Sequence, residues 1–242
     1  SLLGQRTAEM HRALAIDTDD PAFTVERVTR RQVEAWTERA NEDLERMLER
    51  LGRLTSDLPE RTQAAVESVL KDREVLRSRL GAALGMRPSG GVSRVHGDYR
   101  LSRVLLAKDD LAIVGFGGAS GAGRDKGSPL ADVASMLLSF HETAAKALHA
   151  VQPAPEREPV LAGRLAEWSR AAQRDFLDAY REHVAGSPSD PRDARFAEAM
   201  LDLFVIGHAA RAVDAAIGHG PAPIEGPLAA LAELAGRRLD NS

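Results

Sequence analysis

The chain of 242 residues has no cysteine, few aromatic residues and no long hydrophobic run. The absence of cysteine excludes disulfides, thiol catalysis and cysteine-ligated metal, and it fits a reducing compartment. Aromatic residues make up only 4% of the sequence, so the core must rest on Leu, Val and Ala and few rings are available to stack on a sugar. No apolar run approaches the roughly 18 residues of a membrane span, and the N-terminus does not resemble a signal peptide. We therefore expect a cytoplasmic protein without a membrane partner.

The charge distribution argues against a nucleic-acid partner. The formal net charge is −4, and acidic and basic residues are interspersed along the chain. Nucleic-acid-binding proteins usually carry a basic patch, and none is evident here. Apolar residues make up 43% and charged residues 28% of the sequence, which is ordinary for a globular protein with one sizeable core. The sequence starts with Ser1 instead of Met, which is consistent with a fragment of a longer protein.

Hydrophobic spacing predicts helices on both sides of a short β-rich segment. The β-prone runs lie at residues 92–95, 104–107 and 111–116, with a turn at residues 108–110. Ser128 and Pro129 predict a helix start, because serine is a good N-cap and proline suits the first helical position. The predicted fold class is therefore mainly α with a small β-hairpin insert (α+β). The predicted helices span residues 2–16, 28–54, 57–84, 128–150, 160–184, 193–217 and 227–239.

The β-rich segment also carries the residues most suited to catalysis. His96 and Asp98 lie in a predicted loop, Arg103 follows five residues later, and Gly115 follows the predicted hairpin. A loop aspartate can accept the proton of an attacking hydroxyl group, so Asp98 is the candidate catalytic base. His96 is the second candidate catalytic residue, and we expect it to brace the loop by hydrogen bonding.

Other motifs in the sequence are weaker. The glycines from Gly115 to Gly121 faintly resemble a dinucleotide fingerprint, but that motif needs a helix to begin at once, and the next predicted helix starts only at Ser128. No P-loop is present. The remaining histidines lack the spacing of a metal site, so no metal ligand is assigned and we expect surface or packing roles for them: His11, His141, His149, His183, His208 and His219.

Four segments, in the same order and at similar spacing, carry a resemblance to one known family. They are residues 2–11 with 18–23, 95–99, 128–140 and 201–204. On these segments the chain resembles the C-terminal lobe of maltokinases, including those fused to trehalose synthase, in the aminoglycoside phosphotransferase-like group of the protein kinase-like fold. The resemblance implies one lobe over residues 1–242, made of a helical segment (1–91), a catalytic-loop hairpin (92–127) and a helical subdomain (128–242). It also implies phosphorylation of maltose to maltose 1-phosphate with ATP and Mg²⁺.

The chain departs from this family at its polar positions. Arg103 stands where the family has a metal-binding glutamine, and Gly115 stands where it has a metal-binding aspartate, so these two are degenerate positions of the ATP and metal ligands. Arg100 replaces a second histidine. The ATP-gripping N-terminal lobe has no counterpart in this chain. Mg²⁺ needs oxygen ligands, so we expect weak binding of ATP and Mg²⁺ unless Arg100 and Arg103 pair with phosphate directly.

These observations leave three hypotheses open. The first is a degenerate maltokinase-like lobe, a pseudokinase that is inactive alone but binds maltose, another sugar or an enzyme of the glucan and trehalose pathways. The second is a fragment of an active sugar kinase whose N-terminal lobe lies upstream. The third is a non-catalytic helical interaction module without a ligand.

Overall fold

A computed structural model describes residues 1–16, 20–21, 23–54, 58–116, 126–220 and 222–237. The described chain is mostly helical, with one short strand near its start and the other short strands in its middle. Single 3-10 turns cover Ala82–Gly85 and Leu101–Arg103. The helices are α1 (Leu2–Leu14), α2 (Arg30–Gly52), α3 (Glu60–Lys71), α4 (Arg73–Gly81), α5 (Pro129–Val151), α6 (Glu158–Val184), α7 (Ala194–Ala216) and α8 (Ala222–Gly236), and the strands are β1 (Glu26–Arg27), β2 (Gly91–Arg94), β3 (Val104–Ala107), β4 (Asp110–Ile113) and β5 (Lys126–Gly127).

Side-chain caps fix where several helices begin. Thr29 and Gln32 form a reciprocal capping box at the start of α2, which satisfies two backbone N–H groups that the first turn leaves free. The Ser128 side chain accepts from the Leu130 N–H, and Pro129 occupies the first turn of α5. The start of a helix predicted at these two residues is therefore confirmed.

Two of the predicted helices need correction. The helix predicted over residues 57–84 is divided into α3 and α4 at Asp72, whose ψ of 15° departs from helical geometry. The helix predicted to begin at residue 227 begins at Ala222, so Pro227 lies inside it. Proline usually occupies the first turn of a helix, whereas Pro227 is the sixth residue of the observed one. The predicted helix limits at residues 57 and 239 fall outside the described residues.

Helix α7 forms the centre of the core. It packs against α2, α5 and α8, while α1 packs on α6, so the first part of the chain is held against the last. A helix that is apolar around its whole circumference is suited to a buried position, and α7 is buried from Phe196 to Val213 along most of its length. Gly207 lets α2 approach, since a Cβ there would lie 3.1 Å from the Ala40 Cβ. In the described part of the chain no helix is both long and apolar enough to cross a membrane.

The β-rich segment forms two small antiparallel sheets. Strands β3 and β4 make the predicted hairpin, with Val104 opposite Ile113 and Ala107 opposite Asp110. Strand β2 lies between β1 and β5 in a second sheet, and these two outer strands were missed because each has only two residues. The sheet and the hairpin hold the intervening loop, which carries His96 and Asp98, against α5.

Candidate active site

The loop that contains His96 and Asp98 is anchored on a buried carboxylate of α5. The backbone N–H groups of His96 and Gly97 donate to Asp132 at 2.6 and 2.9 Å. Nε2 of His11 lies 3.2 Å from the same carboxylate, and Nδ1 of His11 lies 3.0 Å from the Tyr180 hydroxyl. One side chain on α5 thus ties the loop to α1 and, through His11, to α6.

The charge of Asp132 is stabilised by these contacts. Burial acts to raise the pKa of Asp132, but the hydrogen bond from His11 and the two backbone N–H groups outweigh it, so the pKa lies below its ordinary value. An ionised carboxylate that accepts several hydrogen bonds is a strong local anchor. Because Asp132 is almost fully buried, it holds the loop in place and does not itself face a substrate.

His96 is fixed in one tautomer by its two neighbours. Its Nδ1 accepts from the Asp98 backbone N–H at 3.3 Å, and its Nε2 lies 3.0 Å from the Val114 carbonyl oxygen. A carbonyl can only accept, so Nε2 carries the proton in the neutral ring. The ring is fully buried beside Tyr99 and Phe116. The described contacts of His96 are therefore those of a residue that joins the loop to the end of the hairpin.

The far end of the loop has its own anchors. Tyr99 is fully buried, and its hydroxyl lies 2.6 Å from the Thr7 hydroxyl of α1. Burial raises the pKa of Tyr99 to about 12, so its hydroxyl stays protonated and available as a hydrogen-bond donor. The Leu101 N–H donates to the Ser139 hydroxyl of α5 at 3.2 Å. With both ends fixed, the position of Asp98 between them is well defined.

Asp98 forms ion pairs with two arginines. Its Oδ1 lies 2.6 Å from a terminal guanidinium nitrogen of Arg100, and its Oδ2 accepts from Nε of Arg103 at 3.1 Å and from Nη2 of the same side chain. Partial burial acts to raise the pKa of Asp98, but the hydrogen bond from Arg103 and the charge of Arg100 lower it below the ordinary value. The candidate base is thus ionised and held between two fixed positive charges.

The positions of the expected metal ligands do not fit Mg²⁺. Gly115 offers no side chain, and the Arg103 guanidinium lies beside it, since a Cβ on Gly115 would fall 3.3 Å from Nη1 of Arg103. A cation so placed repels a second cation at short range. The residues that the structure describes include no group of three or more His, Cys, Asp or Glu side chains that could hold a metal.

A cavity of about 410 Å³ opens beside Asp98 between α5 and α7. This volume lies within the range of small-molecule sites, about 300–1,000 Å³. Acidic and basic residues share its wall, since Asp98 and Glu142 line it together with Arg100 and Arg211. The residues that line it are Gly97, Asp98, Arg100, Ser135, Leu138, Ser139, Glu142, His208, Arg211 and Ala212.

Residues of α7 in this wall were not recognised in the sequence. His208 was expected to have a surface or packing role, and it lines the cavity. Burial, followed by the charge of Arg211, lowers the pKa of His208 to about 4, so its ring is neutral near pH 7. Arg211 is held by Asp43 of α2 at 2.6 Å. The apolar spacing of α7 gave no signal for these polar positions, which matter only once α5 and α7 are packed together.

The chain is similar in sequence and in structure to known sugar kinases. No protein-family model matches the chain. A curated relative, the glucosamine kinase of Streptacidiphilus jiangxiensis, is 31% identical over 195 residues, which cover 78% of this chain and 39% of the relative. The chain resembles glucosamine kinases. A solved glucosamine kinase in complex with glucosamine, ADP and inorganic phosphate has a TM-score of 0.72 and 25% identity over 96% of this chain, and another glucosamine kinase structure has a TM-score of 0.69 and 26% identity over 98%.

These comparisons change the kind of sugar kinase that the chain resembles. The chain spans 39% of the length of the curated relative and 50% of each of the two solved chains. All three proteins are glucosamine kinases, so the predicted likeness to a sugar kinase is confirmed. None of them is a maltokinase, so the predicted likeness to maltokinases is replaced by one to glucosamine kinases. The structural similarity to this helix-rich kinase extends over nearly all of the chain.

Proposed function

We propose that this chain is the part of an ATP-dependent amino-sugar kinase that binds the sugar and positions its attacking hydroxyl group. The observation that carries the proposal is Asp98, an ionised carboxylate on a doubly anchored loop, in the wall of a cavity of about 410 Å³. The likeness to glucosamine kinases over most of the chain supports the same assignment. The nucleotide would be held largely by a region that lies outside this chain.

In the proposed reaction a sugar hydroxyl group donates a hydrogen bond to Asp98. Its oxygen forms a bond to the γ-phosphorus of ATP, the bond from that phosphorus to the bridging oxygen of ADP breaks, and the hydroxyl proton passes to the Asp98 carboxylate. The low pKa of Asp98 makes it a weak base. This is compatible with a loose phosphoryl-transfer transition state, in which orientation of the hydroxyl group contributes more than removal of its proton.

Arg100 and Arg103 would supply positive charge in place of a metal ion. Both guanidinium groups are held beside Asp98, and positive charge close to the transferred group stabilises the negative charge that develops on it. Guanidinium groups pair well with phosphate oxygens because they present several parallel donors. The pairing with Asp98 must loosen for this to happen, since each arginine now donates to the carboxylate.

Glu142 would recognise the amine of the sugar. Glu142 lines the same cavity as Asp98, its side chain is 21% exposed, and its carboxylate lies 3.8 Å from the ammonium group of the exposed Lys146. Glucosamine carries an ammonium group near neutral pH, and a hydrogen bond to a charged partner contributes roughly 1.5–3 kcal/mol. Maltose has no such group, so a carboxylate at this place favours an amino sugar over the maltose that the sequence resemblance implies.

The test is calorimetric titration of the chain with glucosamine and, separately, with maltose. Glucosamine should bind, and Asp98→Asn should weaken that binding by about tenfold, the equivalent of about 1.4 kcal/mol. Asp109→Asn, at the exposed hairpin turn, is the matched control and should leave the affinity unchanged. Absence of glucosamine binding, or an affinity that Asp98→Asn does not alter, would contradict the proposal.

A second candidate function is sugar binding without phosphotransfer. The observation in its favour is the pairing of Asp98 with two arginines at a place that does not fit Mg²⁺. An assay for ATP-dependent phosphorylation of glucosamine separates the two candidates when it is run on the longest polypeptide that contains this chain. Glucosamine binding without any transfer to the sugar would favour the binding protein.

A further inference from the structure

The cavity beside Asp98 has a neighbour on the other side of His208 and Arg211. This second cavity measures about 300 Å³, and the same two side chains of α7 line both spaces. Along α5 the lining passes from Ala131 in the second cavity to Ser135 in the first. The two cavities therefore lie side by side along α5 and α7, with α2 lining the second one, and we call the pair the groove.

Trp36 of α2 supplies an aromatic surface in the second cavity. Its ring meets Phe204 of α7 edge to face, with the ring centroids 5.5 Å apart. The residue is half-buried, so the indole is held from one side while part of it remains accessible. A rigid, partly exposed indole in a cavity wall offers a large apolar face and one polar N–H group, which suits the apolar face and hydroxyl rim of a sugar ring.

Polar groups stand where the two halves of the groove meet. The Arg211 guanidinium is held by Asp43 at 2.6 Å, so its direction is set before any ligand arrives. His208 is neutral near pH 7 because burial lowers its pKa to about 4, and a neutral imidazole offers one donor and one acceptor. Hydroxyl groups and a bridging oxygen between two sugar rings need donors and acceptors of this kind. The second cavity adds the apolar Trp36 and Phe204 and a further cation, Arg39, so it joins an apolar surface to a few polar groups, as small-molecule sites do.

We propose that Trp36 forms a second sugar subsite, so that the groove accepts an amino disaccharide with one ring beside Asp98 and the other on the indole. This inference rests on the proposed function, because the first ring is the one that presents its hydroxyl group to Asp98. It extends that function from a single amino-sugar ring to two linked rings. His208 and Arg211 contact the linkage between them.

Intrinsic fluorescence tests the subsite without altering it. The chain has two tryptophans, and the second, Trp168, lies on α6 with 44% of its surface exposed. In the variant Trp168→Phe, Trp36 is the remaining indole. Titration with a β-1,4-linked disaccharide of glucosamine and glucose, whose neutral glucose ring would lie on the indole beside Arg39, should change its emission and give an affinity about tenfold higher than that for glucosamine. Equal affinities together with unchanged emission would overturn the subsite.

Substitution of the indole provides an independent measurement. Trp36→Leu should abolish the preference for the disaccharide and leave the glucosamine affinity within about twofold, whereas the matched control Trp168→Leu should keep the preference. Retention of the full preference in Trp36→Leu would overturn the subsite and leave the proposed function intact. Failure of the parent chain to bind either sugar would overturn both, so the two failures are distinguishable.

Discussion

Arg103 fills the space that a side chain on Gly115 would need. A Cβ on Gly115 would lie 3.1 Å from Cδ of Arg103 and 3.3 Å from its Nη1. These are the two positions at which the sequence analysis found a departure from the metal ligands of maltokinases. Their contact means that the two departures are not independent, because the glycine accommodates the arginine that pairs with Asp98.

We predict that the effect of a side chain at position 115 depends on Arg103. Gly115 has a φ of +81°, a conformation that costs roughly 1–3 kcal/mol in most other residues. Gly115→Ala adds to this strain the contact with Arg103, and the additional Arg103→Ala substitution should recover part of the loss. A double-mutant cycle from urea unfolding should give a coupling energy of about 0.5 kcal/mol or more.

Gly186→Ala is the matched control for this cycle. Gly186 has a similar φ of +75°, and a Cβ there meets nothing within 4 Å. Its substitution should therefore destabilise the fold by strain alone, and by the same amount with or without Arg103. Strict additivity of Gly115→Ala and Arg103→Ala would contradict the proposed dependence.

A second prediction concerns the ionisation of Asp98. Although partial burial acts to raise its pKa, the hydrogen bond from Arg103 and the charge of Arg100 lower it. The double variant Arg100→Gln, Arg103→Gln removes both charges, so the pKa of Asp98 should rise. Carboxyl carbon chemical shifts followed by NMR as a function of pH measure this directly.

The same lowering of the pKa determines how the free energy of unfolding changes with pH. Because the folded-state pKa of Asp98 is depressed, its ion pairs stabilise the fold above the ordinary pKa of 3.8 and lose that contribution as the pH falls through the folded value. The double variant should therefore lose less stability on acidification than the parent. An unchanged pKa in the double variant would mean that the arginines do not determine the charge state of Asp98.

Local signals in the sequence predicted much of the fold. Strand β3 was predicted at its observed limits, and α5 at its observed start, because turn residues, β-prone runs and the Ser128 cap act over a few residues. The division at Asp72 was not predicted, since no glycine or proline marks it. The strands β1 and β5 were missed because two-residue strands are defined by their partner and not by their own pattern.

The site could be predicted only in part, for a related reason. The sequence singled out His96, Asp98, Arg103 and Gly115, which lie within 20 residues of one another. Glu142 and His208 were not predicted as site residues, because they reach the cavity only through the packing of α5 on α7. The ion pairs of Asp98 also depend on the 3-10 turn that brings Arg103 back to it, and spacing alone does not specify that turn.

We predict that Glu142 determines the preference for an amino sugar. Glu142→Gln keeps the shape of the side chain and removes its charge, so it should weaken glucosamine binding by about tenfold while affecting glucose binding by less than about twofold. Calorimetric titration with both sugars measures the difference. Glu9→Gln, on the outer face of α1 and away from the cavity, serves as the control. Equal losses for the two sugars would assign Glu142 a structural role.

A further prediction concerns the core of α5. Leu137 is 6% exposed, so Leu137→Ala should leave a cavity and destabilise the protein by about 2–5 kcal/mol. Leu106, on the hairpin, is 87% exposed, and Leu106→Ala should change stability by less than about 0.5 kcal/mol. Urea unfolding of both variants provides the measurement. Equal effects of the two substitutions would contradict the burial of α5 that positions Asp132 and Ser139.

The neutral state of His208 predicts a pH dependence of stability. Burial lowers its folded-state pKa from the ordinary 6.5 to about 4. As the pH falls from about 6.5 toward 4, the unfolded chain takes up a proton that the folded protein does not bind, so the free energy of unfolding must decrease. Unfolding by urea at pH 7.5, 6.5 and 5.5 should therefore show a steeper decrease in the parent than in His208→Gln.

The histidine controls separate this effect from other titrating groups. Burial also lowers the pKa of His141, so part of the pH dependence should remain in His208→Gln and should decrease further when His141→Gln is added. His219→Gln, at an exposed position, serves as the substitution control for these variants. If His208→Gln and the parent respond identically, burial does not lower the pKa of His208 in the folded protein.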